Sequence, residues 1–142
     1  MTASKSLFHA EMVNENGVDG IAYVKNDGLK VSLSSPTSNA PGTNPEELLG
    51  LSLSTCLNAT LRSVLKARGK QNKSRVEVHV DFVKETKKPG YYFDVLATAQ
   101  IDGLEFEEVE KLVGVAERLC PVSKLLMGSE TVIVKAIEGY TN

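Results

Sequence analysis

The stretch that most constrains this chain runs from Gly42 to Gly69. It reads Gly-Thr-Asn-Pro-Glu-Glu-Leu-Leu-Gly-Leu-Ser-Leu-Ser-Thr-Cys up to Cys56 and then continues unbroken to Arg68. Thr43 or Asn44 can cap a helix here, because a side-chain oxygen accepts an orphan amide hydrogen. Pro45 suits the first helical position, where its missing N–H costs nothing. Glu46 and Glu47 put negative charge at the positive end of the helix dipole, and Gly69 is a natural stop. Leu49, Leu53, Cys56, Thr60, Val64 and Ala67 share one stripe at helical spacing, and five further leucines fill other faces. So wide an apolar surface implies burial nearly all round. The expectation is a central helix wrapped by sheet, or a helix at a dimer interface.

The elements around this helix follow from pattern. Leu7 to Asn14, Ile21 to Lys25 and Leu29 to Leu33 read as three antiparallel strands. They are separated by Asn-Gly, Asp-Gly and Asn-Asp-Gly turns. Ser34 to Gly42 is a polar loop. Val76, Val78 and Val80 alternate with Glu77, His79 and Asp81, and Tyr91 to Ile101 returns as the second arm of a hairpin. A second helix spans about Phe106 to Cys120, with Val109, Leu112, Val113, Ala116 and Leu119 on its apolar face. Thr131 to Ile137 is a last strand. Strands grouped rather than alternating with helices point to an α+β class. With 142 residues, the expectation is a single domain over 1–142.

Composition removes several function classes. A net charge of −2 gives no electrostatic case for nucleic acid or an anionic membrane. No apolar run approaches the length of a membrane span, and Met1 to Lys5 is too polar for a signal-peptide core. Two cysteines without a secretion signal suggest a reducing cytoplasm. Asn58-Ala59-Thr60 matches a glycosylation sequon, but inside a buried helix it reads as coincidence. His79 falls on the outward phase of its strand and His9 has no second ligand nearby. Both read as solvated side chains rather than metal ligands.

The chemistry therefore rests on Cys56 and Cys120, 64 residues apart. That spacing fits neither a zinc knuckle nor a thioredoxin motif. It suits a two-cysteine redox cycle if packing joins the sulfurs, and it equally allows two unrelated core cysteines. Cys120 precedes Pro121, which fits either a kink or the start of a short new helix. In the second case Cys120 is the N-cap, and the Val122 and Ser123 amides point toward its sulfur.

Gly42-Thr43-Asn44-Pro45-Glu46-Glu47-Leu48 followed by Cys56, with Cys120-Pro121-Val122-Ser123-Lys124-Leu125-Leu126, resembles the osmotically inducible protein C and organic hydroperoxide resistance family. The resemblance implies an α+β fold in an interlocked homodimer with two active sites at the interface. It implies reduction of organic hydroperoxides through a cysteine pair, with Cys56 peroxidatic and Cys120 resolving. Glu46 takes the place of the family's active-site glutamate. It implies no cofactor and no metal, with an external dithiol or small thiol as reductant. The leucines around Cys56 would favour alkyl or fatty-acid hydroperoxides over hydrogen peroxide. On a straight helix Glu46 and Cys56 stand about 15 Å apart. Either the helix breaks near Gly50 or Glu46 serves the partner's site, and the second is expected.

One departure bears on activity. Active family members carry an arginine in the N-terminal strands or the loop after them, paired with the glutamate. This chain has no arginine before Arg62. Lys25 and Lys30 are conceivable substitutes. The alternative function is a non-peroxidase relative of the same dimeric form. It would bind a hydrophobic small molecule or act as a redox-responsive thiol protein.

Overall fold

The computed structural model describes residues 4–140. They form two compact units, one up to Pro45 and one from Glu46 onward. The first holds β1 (Met12–Asn14), β2 (Ile21–Val24) and β3 (Lys30–Ser32), an antiparallel meander in that order. Asn26 and Asp27 take left-handed conformations, with φ of 65° and 61°, and turn β2 into β3. That turn also shortens β1. The meander pairs Met12 with Val24, so residues N-terminal to Glu11 have no β2 residue left to face. The expected strand over Leu7 to Asn14 is thus three residues long, and Leu7 and Phe8 stand 100% and 85% exposed.

The second unit opens with α1 (Pro45–Ala67), 23 residues without a break. It ends in a Schellman motif: the Gly69 amide donates to Lys66 O and the Lys70 amide to Leu65 O, with Gly69 at φ 69°. The hairpin of β4 (Ser74–Lys84) and β5 (Tyr91–Ile101) follows, in register from Ser74↔Ile101 to Lys84↔Tyr91. Next come α2 (Phe106–Leu119), α3 (Pro121–Leu126) and β6 (Val132–Ala136). The sheet order is β4-β5-β6, and β6 runs parallel to β5. The class is α+β as the grouping of strands indicates, with one parallel pair made by the helical crossover.

Period-two alternation decides which sheet face is covered. Val95, Ala97, Ala99 and Ile101 are buried, and register puts Val76, Val78 and Val80 beside them. Leu53, Leu57, Leu61 and Leu65 of α1 join this face, as do Val109, Leu112, Val113 and Ala116 of α2, whereas Leu119, expected with them, lies at the end of its helix and is 54% exposed. The opposite face carries Arg75, Glu77, His79 and Asp81, all exposed. The sequon Asn58 is spoken for inside this unit, its Oδ1 accepting from Ser74 Oγ at 2.8 Å.

Two expectations about α1 need correction. By length and composition it is long and apolar enough to cross a membrane, although no span was read from the sequence. It is also not buried all round, since only 28% of its apolar stretch is covered and Leu51 is 63% exposed. The reason is that sheet and α2 meet one side of the helix only. The side bearing Leu51, Ser52, Thr55 and Ala59 is open.

The chain's last described segment lies against the end of β5. Gly103 N donates to Tyr140 O at 3.0 Å, and Tyr140 N to Asp102 Oδ1 at 2.8 Å. A Cβ on Gly139 would run into the backbone carbonyl of Ile101. Gly139→Ala is therefore expected to destabilise the protein by about 1–3 kcal/mol, because backbone cannot step aside as a side chain can. Thermal unfolding of that variant checks this; an unchanged midpoint would mean that the segment is not docked.

Candidate active site

The two cysteines meet. Cys56, in the middle of α1, and Cys120, between α2 and α3, are neighbours in the core and act on each other's ionisation. Helix α1 supplies Cys56 from its covered side, where it is half-buried against the core. Thr60 Oγ1 donates to Cys56 O at 2.8 Å and secures that turn. Cys120 is wholly buried. Pro121 opens α3 rather than kinking α2, so Cys120 is the N-cap of a new helix. Its Sγ accepts from Ser123 N at 3.5 Å.

The two sulfurs differ in charge preference. Burial pushes the Cys56 thiol up; the Val122 amide works against that rise and the neighbouring Cys120 adds to it. Burial also opposes charge on Cys120. There it is outweighed by the polar groups around the sulfur: the Ser123 side chain and amide first, then the Cys56 thiol and the Val122 amide. Cys120 accordingly sits below the ordinary thiol range. Among the described residues no lysine or arginine is one of the groups acting on either sulfur.

Glu46 is not brought to Cys56 within the chain. Because α1 is unbroken through Gly50, the two stay about 15 Å apart along it. Glu46 instead lines an open groove of about 500 Å³ with Gly50, Leu51, Ser54, Val78 and Val80, and its Oε2 is buried without a partner. Lys25, one conceivable stand-in for the arginine, is engaged with Glu11 at 2.9 Å. His9 also contacts Glu11, at 3.0 Å, and His79 sits 3.6 Å from Glu77, each exposed. No group of three metal-ligating side chains occurs among the described residues.

A groove of about 690 Å³ contains neither cysteine; Arg62, Lys66, Lys70 and Lys73 line it at the C-terminal end of α1. Ser123 is the residue whose contribution was missed. Its amide was expected near Cys120, but its hydroxyl was not. The available signal was a serine three residues after a helix N-cap.

The family model described as OsmC-like protein matches residues 37–135, more than half of the chain. The chain belongs to the OsmC-like protein family. Among solved structures, a candidate redox protein from Lactobacillus casei is 38% identical, with a TM-score of 0.87 over 97% of this chain and 96% of that one. The organic hydroperoxide resistance protein OhrB of Bacillus subtilis is 26% identical, with a TM-score of 0.83 over 94% of this chain and 100% of that one. Organic hydroperoxide resistance protein OhrA of the same organism is 26% identical over 140 residues, 95% of this chain and 99% of the relative. The matched region spans both cysteines and Glu46, so this OsmC-like chain carries its candidate site on the family's common core.

Proposed function

We propose that this OsmC-like protein is a thiol-dependent peroxidase that reduces organic hydroperoxides to alcohols through a Cys56/Cys120 disulfide cycle. The observation that supports it is the meeting of two thiols from distant parts of the chain, one half-exposed and one buried. Cys56 is the sulfur a peroxide can reach. Its attack on the distal peroxide oxygen expels an alcohol and leaves a sulfenic acid. Cys120 then attacks that sulfur; the S–O bond breaks, the oxygen leaves as water, and the disulfide that forms is reduced by an external dithiol or small thiol. A supply of dithiol places the protein in a reducing compartment, the cytoplasm. The cycle calls for no metal, cofactor, nucleic acid or membrane.

The reading includes a homodimer. The open side of α1 carries Leu51 and Ala59 with Ser52 and Thr55 between them, small side chains and one leucine against which the same side of a second copy can pack closely. Glu46, remote from its own Cys56, then serves the partner subunit's site. Its unpartnered buried oxygen supports that role. The apolar setting of Cys56 favours bulky organic hydroperoxides over hydrogen peroxide.

Thiol counting tests the proposal. One equivalent of cumene hydroperoxide should remove both thiols within seconds, and hydrogen peroxide should do so far more slowly. One feature favours the second reading, a non-peroxidase dimer binding a hydrophobic molecule: burial raises Cys56 and no described cation offsets it. Survival of both thiols through minutes of exposure would sink the peroxidase and leave that reading standing.

A further inference from the structure

The basic charge of this chain is concentrated in one place. Residues 62–75 contain six lysines and arginines and no aspartate or glutamate, in a chain whose net charge is −2. Four of the six, Arg62, Lys66, Lys70 and Lys73, line the groove of about 690 Å³ beside the end of α1. The dipole of α1 accounts for Lys66, since a helix C-terminus attracts a cation. It does not account for Lys70 and Lys73, which lie beyond the Gly69 turn that closes the helix. Lys70 has a partner in Glu108 of α2, 3.3 Å away. Among the described residues, Arg62, Lys66 and Lys73 have no carboxylate within ion-pair distance. Unpaired cations lining one hollow repel one another, and an anion placed between them removes that repulsion.

The loop carrying Lys70 and Lys73 is fastened on both sides. The Lys70 amide donates to Leu65 O, and Ser74 Oγ donates to Asn58 Oδ1 at 2.8 Å, so both ends are tied to α1. Between them, Asn72 Nδ2 donates to Asp102 O at 2.9 Å and the Asp102 amide donates to Lys73 O at 2.9 Å. A wall already ordered loses little freedom when it takes a ligand. Ser63 and Gln71 add further polar groups to the lining. The lining has no aromatic ring on which a base could stack, as single-stranded nucleic-acid sites use. Its one apolar residue, Leu65, is 2% exposed, so an acyl chain finds nothing to lie against. What the groove offers is dense positive charge alone. Arg62 and Lys66 stand one turn apart, about 6 Å along the axis, a span that neighbouring phosphates of one chain can bridge.

We propose that this groove binds an oligophosphate chain, either free or as the tail of a nucleotide. Arg62 matches one phosphate with its planar fork, and Lys66 and Lys73 act as point charges on the others. The groove contains neither cysteine, so this is a second site that stands whether or not the protein reduces peroxides.

Calorimetric titration of the whole reduced chain at low ionic strength tests this, with tripolyphosphate as the probe. Tripolyphosphate should occupy one site per chain, bind at least about tenfold more tightly than orthophosphate, and weaken as salt is added. ATP separates the two sources. Equal affinity for ATP and tripolyphosphate means that the phosphates alone are read, and tighter binding of ATP means that a nucleotide is the ligand. Arg62→Gln combined with Lys73→Gln should weaken tripolyphosphate by at least about tenfold. Lys87→Gln combined with Lys88→Gln removes the same charge from the exposed β4–β5 turn, outside the groove, and should leave the affinity within about twofold. All four residues are exposed, so both double variants should fold, and their unfolding midpoints check this. Three results overturn the proposal. One is no binding of tripolyphosphate, another is equal binding of orthophosphate and tripolyphosphate. The third is the same loss in both double variants, which would show attraction to charge in general and no site.

Discussion

On the proposed cycle, Cys56→Ser should lower the rate of cumene hydroperoxide reduction by at least about a thousandfold, because a serine hydroxyl is un-ionised near neutral pH and a poor nucleophile toward oxygen. The fold should tolerate the change, since Cys56 is half-buried and serine differs from cysteine in one atom. Cys120→Ser has a different signature. It permits a single oxidation and leaves a sulfenic acid on Cys56 that a dimedone-type trap captures and mass spectrometry locates. Steady turnover with a dithiol then collapses, because the disulfide cannot form. Because Cys120 only resolves in the proposed cycle, Cys120→Ser should oxidise as fast as the parent on its single turnover. A sulfenic acid found on Cys120 in the Cys56→Ser protein would reverse the assignment of roles.

How far the sequence carried these conclusions depended on the range of the interactions involved. Local signals were sufficient for α1: proline at its first position, glutamates in its first turn, and a glycine that closes it at φ 69°. The β4–β5 hairpin was equally plain, because Val76, Val78 and Val80 alternate and the Thr86 to Gly90 turn lies between two long arms. Cys120 as an N-cap was one of two open alternatives, and the structure takes it. Three features were out of reach. The length of β1 depended on where β2 turns away, not on its own residues. The open side of α1 depended on which of its leucines the sheet would meet. The difference between the two sulfurs depended on the Ser123 hydroxyl and Val122 amide, whose placement only the α2–α3 junction fixes. The parallel pairing of β6 with β5 was also unread, since strand grouping states class but not direction.

Leu57→Ala should cost about 2–5 kcal/mol and lower the unfolding midpoint by about 10 °C, because Leu57 is fully buried and a cavity would remain. The informative companion is Leu51→Ala on the same helix. Within one chain Leu51 is 63% exposed, so its truncation should change stability by no more than about 0.5 kcal/mol. In the proposed dimer Leu51 is interior, and the same truncation should cost about 1–3 kcal/mol, in the range of a buried side chain. Leu51→Glu should go further. It would bring a charge into the contact and shift the protein toward monomer in sedimentation, with an unfolding midpoint that falls on dilution. The consequence reaches the active site. Glu46 is about 15 Å along α1 from its own Cys56 and cannot act there. If Leu51→Glu yields monomers, its loss of peroxidase activity should match that of Glu46→Gln in the intact dimer or exceed it. If the parent protein sediments as a monomer and Leu51→Ala is silent, Glu46 has no second site to serve. It would then be reduced to a charge at a helix N-terminus.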